Sequence, residues 1–446
     1  MDELWTNLGP EVINISYTGS RSIIHRVIQI DFSSISAFLT GFSTYPQPLR
    51  LRLRIFTIFF LYKQTHQAVR KGELSTIMKL VFDKADLVKS VGIAMKAVSG
   101  KTTMPILECI LIDASSNVIK FTSNDMELGI ETIVTGMILE RGIVALDAKI
   151  FSEIVRKLPD NQVTIETDEN LVTTITCEKA KFSIPGQSGE DFSYLPILET
   201  SDCVSISQFT LKELIRQTIF SIAANENNKL MTGELFEIKD NTLRVVSLDG
   251  HRIAIRRIEL KDSYPDRKVV VPGKTLNEIS KILSGEMDDQ IDIYFSENHI
   301  MFKFDDTTVV SRLIDGEYFR IDQMLSSDYE TKVTINKKEF LSCIDRATLL
   351  VKEGDKKPII IDIQDGAMEL QINSAMGSMK EEIDINKEGK DIMIGFNPKF
   401  LIDALRVIDD EEISIYLVNP KAPCFIRNEE ESYIYLILPV NFNSVR

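Results

Sequence analysis

Apolar residues recur at three- and four-residue spacing in three well-separated stretches of the chain. Leu87, Val88, Val91, Met95 and Val98 form one such stripe. Leu211, Leu214, Ile215, Ile219 and Ile222 form a second, and Phe340, Leu341, Ile344 and Ala347 a third. That spacing predicts helices with one buried face. Around them lie runs that alternate or are β-branched, such as "NTLRVVSL" after the turn residues "KDN". These predict strands joined by tight turns.

The predicted elements repeat. From residues 80, 204 and 333 the chain reads strand, helix, then a hairpin of two strands. Ser123, Ser247 and Ser374 hold equivalent places, 124 and 127 residues apart. Each repeat continues with a second version of the same idea, at 143–167, 269–295 and 392–418, running strand, helix, acidic turn, strand. Six related half-units therefore form three domains, predicted at 78–200, 201–328 and 329–446. The class is α+β, with two helices per domain on antiparallel sheet. Repeats of one design suggest a curved or closed assembly, because closure hides exposed ends.

Residues 1–77 break the pattern. They carry eight Lys/Arg against five Asp/Glu, so the rest of the chain carries about −18 of the total −15. The apolar run "IFTIFFLY" (55–62) follows "RLRLR" and is far shorter than the roughly 20 residues that span a bilayer. The segment is expected to be an atypical extension, either disordered or upstream sequence from a misassigned start, with Met78 opening the first regular strand. A membrane-tethered assembly factor using residues 51–62 is one alternative.

The acidic total argues against a protein that coats nucleic acid. Five scattered cysteines with no C-x-x-C pair fit a reducing, cytoplasmic setting and give no metal or disulfide framework. "PGKT" (272–275) fails as a phosphate loop, since Lys268 stands where the motif needs glycine. The stretch "SLDGHRIAI" (247–255) gathers Asp249, His251 and Arg252, and an acid/base enzyme built on Asp249 and His251 is a second alternative. The equivalent places in the other repeats, "SND" and "SAMG", lack the histidine, so "DGHR" reads better as a hairpin turn with Gly250 at positive φ. No catalytic residue, metal site or cofactor is expected. The predicted helices share basic residues: Lys89 and Lys96, Lys149 and Arg156, Lys212 and Arg216, Lys274 and Lys281, Lys338 and Arg346, Lys399 and Arg406. Their recurrence, despite Glu213, Glu278 and Asp403 beside them, suggests one mildly basic surface suited to a phosphate backbone.

"DGHRIA" (249–254), "PIL" (105–107), "LIDGEY" (313–318) and "YLILPV" (435–440) resemble the most recognisable segments of the bacterial DNA polymerase III beta subunit family, the DNA sliding clamps. The resemblance runs from Met78 to the C-terminus. It implies a clamp-type fold and a head-to-tail homodimer ring around double-stranded DNA, with helices lining the hole. It implies a processivity factor without catalysis, whose partners are the replicative DNA polymerase, the clamp loader and other proteins bearing a clamp-binding motif. A hydrophobic peptide pocket is implied at Met231, Leu248, Gly250, His251, Arg252, Ile253, Phe319, Met324, Leu436, Ile437, Leu438, Pro439 and Val440, with His251 and Arg252 as polar rim contacts. Phe319 stands where the family has proline, and Met324 where it has a smaller apolar residue. DNA contacts are implied at Lys101, Lys149, Arg156, Asn225, Lys229 and Leu230, the last two replacing an aromatic pair. The dimer interface is implied at Phe182 and Ile184 facing Leu349 and Leu350.

Overall fold

Each domain begins with a strand whose alternate residues are buried, and the chain turns directly from it into a helix. In Met78–Asp83 the buried positions are Met78, Leu80 and Phe82. The computed structural model describes residues 77–100, 102–198, 203–224, 228–351 and 357–442, all within one compact unit. The extension, Lys101 and Asn225 lie outside the described residues. Among the described residues the α-helices are α1 (Lys84–Ala94), α2 (Ala148–Lys157), α3 (Gln208–Thr218), α4 (Gly273–Ile282), α5 (Lys337–Thr348) and α6 (Pro398–Val407).

Four of the six strand-to-helix corners are closed by the same device. Asp147, Ser207, Asn336 and Asn397 each accept a hydrogen bond from a backbone N–H in the first helical turn. That satisfies donors a helix start leaves orphaned, worth about 1 kcal/mol per cap. The repeated serines make the repetition physical in two copies. Ser123 Oγ donates to Ala94 O and Ser247 Oγ to Thr218 O, both at 2.5 Å, gripping the end of the preceding helix. Ser374 bonds within its own hairpin instead, to Gly377 O at 3.3 Å.

Helix pairs α1–α2, α3–α4 and α5–α6 pack against each other and against sheet. Three cores result, centred on Phe121 and Phe151, on Phe236 and Phe302, and on Phe340 and Phe396. Among the described residues the sheets hold 13, seven and four strands, and every pairing is antiparallel.

Both joints between domains are strand pairings. Leu128–Val134 pairs with Thr307–Arg312, placing Gly129 opposite Val310. Thr132 and Thr307 share a buried hydroxyl hydrogen bond of 2.9 Å there. Arg252–Pro272 pairs with Tyr433–Ile437, placing Ile253 opposite Leu436. Side chains stitch the helices along the same line. Lys96, just past α1, reaches Glu278 of α4, and Arg216 of α3 reaches Asp409, just past α6. The first joint thus runs within the 13-stranded sheet and the second within the seven-stranded sheet, and an ion pair links helical elements across each. Among the strand edges that stay open in the described residues, two bear on assembly. Residues 180–185 of Ala180–Gln187 pair on one side only, with Val172–Cys177, and Gly377–Asp384 is the outer strand of its sheet.

Candidate functional site

The site is assembled by a hairpin whose strands are Gly233–Leu248 and Arg252–Pro272. Gly250 sits at φ +87°, a conformation glycine adopts without strain. Asp249 Oδ1 accepts from the backbone N–H groups of His251 and Arg252 at 3.0 and 3.2 Å, and its Oδ2 receives Arg252 Nε at 3.0 Å. These bonds commit Asp249 to the turn and speak against its service as a general base.

Alternation then decides which side chains face outward together. Leu248, Ile253 and Leu436 share one face of the three paired strands, in an apolar cluster with Tyr318 and Ile321. Above them lies a cleft of about 420 Å³. It brings together Met231, Leu248, Gly250, His251, Arg252, Ile253, Phe319, Met324, Leu436 and Leu438, and Pro423 joins them. Ile437, Pro439 and Val440 do not line it. Ile437 faces the opposite way, into the core of the third domain, and Val440 N donates to Gly395 O at 2.8 Å. The period of two along "LILP" carried that distinction, since it sets Leu436 and Leu438 on one face and Ile437 and Pro439 on the other.

Arg252 is not a rim group. Its side chain is 8% exposed. The guanidinium donates to Asp249, to Asp403 Oδ2 of α6 at 2.7 Å and to Phe220 O at 2.6 Å. It lies 4.5 Å from the ring centre of Phe400 and 5.3 Å from that of Phe220. His251 is exposed at the mouth, stacked on Phe400 with ring centres 6.1 Å apart.

On the first hairpin strand, Leu235 belongs to the cleft cluster while its neighbour Glu234 belongs to the opposite face, beside Thr218. Glu234 has no exposed surface, and neither carboxyl oxygen has a hydrogen-bond partner among the described residues. Burial pushes its pKa up to about 8, and the neighbouring Thr218 hydroxyl, which donates to Leu214 O at 2.6 Å and not to the carboxyl, is only a lesser influence the other way.

The helix surface is less basic than the sequence suggests. Among the described residues, six of its twelve named cations are ion-paired: Lys96, Arg216, Lys274, Lys281, Arg346 and Arg406. Lys149 and Arg156 are exposed one above the other on α2, Arg156 Nε donating to Ser152 O at 3.2 Å. Lys229 is exposed in the short turn Lys229–Thr232. Leu230 instead packs with the cleft cluster against Gly316. At the open edges, Phe182 is 40% and Leu349 74% exposed, whereas Ile184 and Leu350 are half-buried.

Three consecutive family models match the chain. They are the N-terminal, central and C-terminal domains of the DNA polymerase III beta subunit, at residues 78–196, 205–319 and 322–441. The chain belongs to the DNA polymerase III beta subunit family. A beta sliding clamp from Staphylococcus epidermidis is 33% identical over 375 residues, covering 82% of this chain and 99% of the relative. The crystal structure of a putative DNA polymerase III beta subunit from Eubacterium rectale is 71% identical with a TM-score of 0.80. That of the DNA polymerase sliding clamp from Bacillus subtilis is 35% identical with a TM-score of 0.79. Each match covers 82% of this chain and all of the other. Within this family frame, three features escape a reading of the sequence. Pro423 sits in a turn with no periodic signal. The partner of Arg252, Asp403, lies 151 residues away. Glu234 looks, in sequence, like any polar residue in a strand.

Proposed function

We propose that the chain is a DNA sliding clamp that works as a ring of two head-to-tail protomers around double-stranded DNA. It tethers the replicative polymerase and turns over no substrate of its own. The observation that carries this is the pair of strand-paired joints, each bridged by an ion pair between helical elements, which join three equivalent domains in series. The proposed domains are 78–200, 201–328 and 329–446. The open strand edges at 180–185 and Gly377–Asp384 would close the ring by the same kind of pairing, bringing Phe182 and Ile184 toward Leu349 and Leu350 of a second copy. No helix among the described residues is long and apolar enough to cross a membrane.

The net charge of −15 suits this role. A ring retains DNA by topology, so tight phosphate contacts would add only friction and salt dependence. A helix surface with half its cations neutralised supplies a weak attraction, and an acidic exterior discourages binding outside. The apolar cleft fits short apolar peptide segments of the polymerase, the clamp loader and repair proteins, whose side chains would gain about 25 cal/mol per Å² buried.

Changing Lys101, Lys149 and Arg156 together to alanine should weaken DNA binding equally for unrelated sequences. The log–log salt slope should flatten by roughly 0.9 for each phosphate that is no longer neutralised. Arg156→Ala alone should have a small effect. An unchanged slope in the triple variant, measured on unloaded protein across a salt series, would remove the helices from the DNA-facing surface.

A further inference from the structure

We infer that Arg252 is a positioning residue for the cleft, fixing its mouth by locking the 249–251 turn of the second domain onto α6 of the third. The inference rests on the cleft being a peptide site.

Three linked contacts carry it. Asp249 holds Arg252 Nε at 3.0 Å while its other oxygen holds the His251 N–H, so the guanidinium and the turn are fixed together. His251 O accepts from Leu438 N at 2.9 Å, which ties a cleft side chain on the C-terminal segment to that turn. On the far side Arg252 Nη1 reaches Asp403, one turn along α6 from Phe400, and Phe400 carries the stacked His251 ring. One side chain therefore sets the places of His251, Leu438 and Phe400 across a domain joint.

The chemistry requires arginine. Its planar fork donates in three directions at once, to Asp249, Asp403 and the Phe220 carbonyl, while its faces meet the rings of Phe220 and Phe400. A lysine ammonium offers one point charge and no faces. A second arginine at this joint, on α3, makes a useful contrast. Arg216 and Asp409 have side chains 35% and 69% exposed, where solvent and salt weaken the pair. The Arg252 contacts are shielded, and a buried charge that loses its partner disturbs its surroundings strongly.

The test uses the full chain and a fluorescein-labelled pentapeptide carrying two leucines and a terminal phenylalanine, matched to the apolar lining. Asp403→Asn cuts only the cross-domain charge pair, and Arg252→Lys keeps charge but loses the fork. Both should weaken peptide binding about tenfold. In both, the His251 imidazole proton signals should lose the ring-current shift imposed by Phe400. Asp409→Asn, at the exposed pair, should leave peptide affinity within about twofold. Circular dichroism checks folding. Folded Asp403→Asn with unaltered affinity and an unmoved His251 signal overturns the inference, and so does a loss of folding, which would make the pair a core brace. Absence of saturable peptide binding by the unmodified chain would instead overturn the peptide-site reading itself.

Discussion

Replacing Glu234 by methionine should raise the stability of the folded chain at pH 9 by several kcal/mol and remove a pH dependence present in the unmodified protein. The carboxyl is wholly buried with both oxygens unpartnered among the described residues, and its pKa rises from an ordinary 4.5 to about 8. Below pH 4.5 folded and unfolded chains both hold the proton, and the group costs nothing through titration. Between 4.5 and 8 the unfolded chain releases the proton while the folded chain keeps it, so stability falls as pH rises through that window. Above 8 the folded carboxylate is ionised without a partner and the loss is complete. Every tenfold weakening of the acid corresponds to roughly 1.4 kcal/mol. Methionine has similar volume and leaves no orphaned oxygen. The check is the thermal midpoint of both proteins at pH 5, 7 and 9. The gap between them should widen with pH, and parallel curves would mean that Glu234 finds partners and stays ionised.

The second large effect is on assembly. Leu349→Ala combined with Leu350→Ala should convert the proposed dimer to folded monomers at low micromolar concentration. Leu349 is the most exposed leucine named at either open edge, at 74%, and an apolar side chain left at the end of α5 beside a strand paired on one side only invites a partner. Each truncation removes burial worth roughly 2–5 kcal/mol at a buried site, and a two-fold head-to-tail ring contains both sites twice. Light scattering measures the mass, and circular dichroism shows whether the monomers remain folded. A variant that keeps its dimer mass would place the interface elsewhere.

Much of the fold is legible in the sequence because it rests on local periodicity. Leu87 and Val91, Leu211, Leu214 and Ile215, and Phe340, Ile344 and Ala347 are all buried as their spacing predicts. Val98 and Ile219 only border the cores because the helical turns end there, and Leu341 because it lies at the margin of the buried face of α5. The cleft is legible through the family segments, His251 and Arg252 included, but the burial of Arg252 is not. The burial of Arg252 depends on Asp403 and on two aromatic rings, none of them nearby in sequence. The basic helices look stronger in sequence than they are, because Asp125, Asp345, Glu381 and Asp409 neutralise them from other elements. Leu230 reads as a DNA-side residue in sequence because position along the chain does not say which way a half-buried turn points.

Retention on circular against linearised DNA tests the central claim most directly. Protein loaded onto a nicked circular duplex and passed through a sizing column in high salt should stay with the circle. Cutting the circle once should release it, because a ring slides off free ends while its phosphate contacts are too weak to hold. Equal retention on both forms, or equal loss from both, would contradict the account.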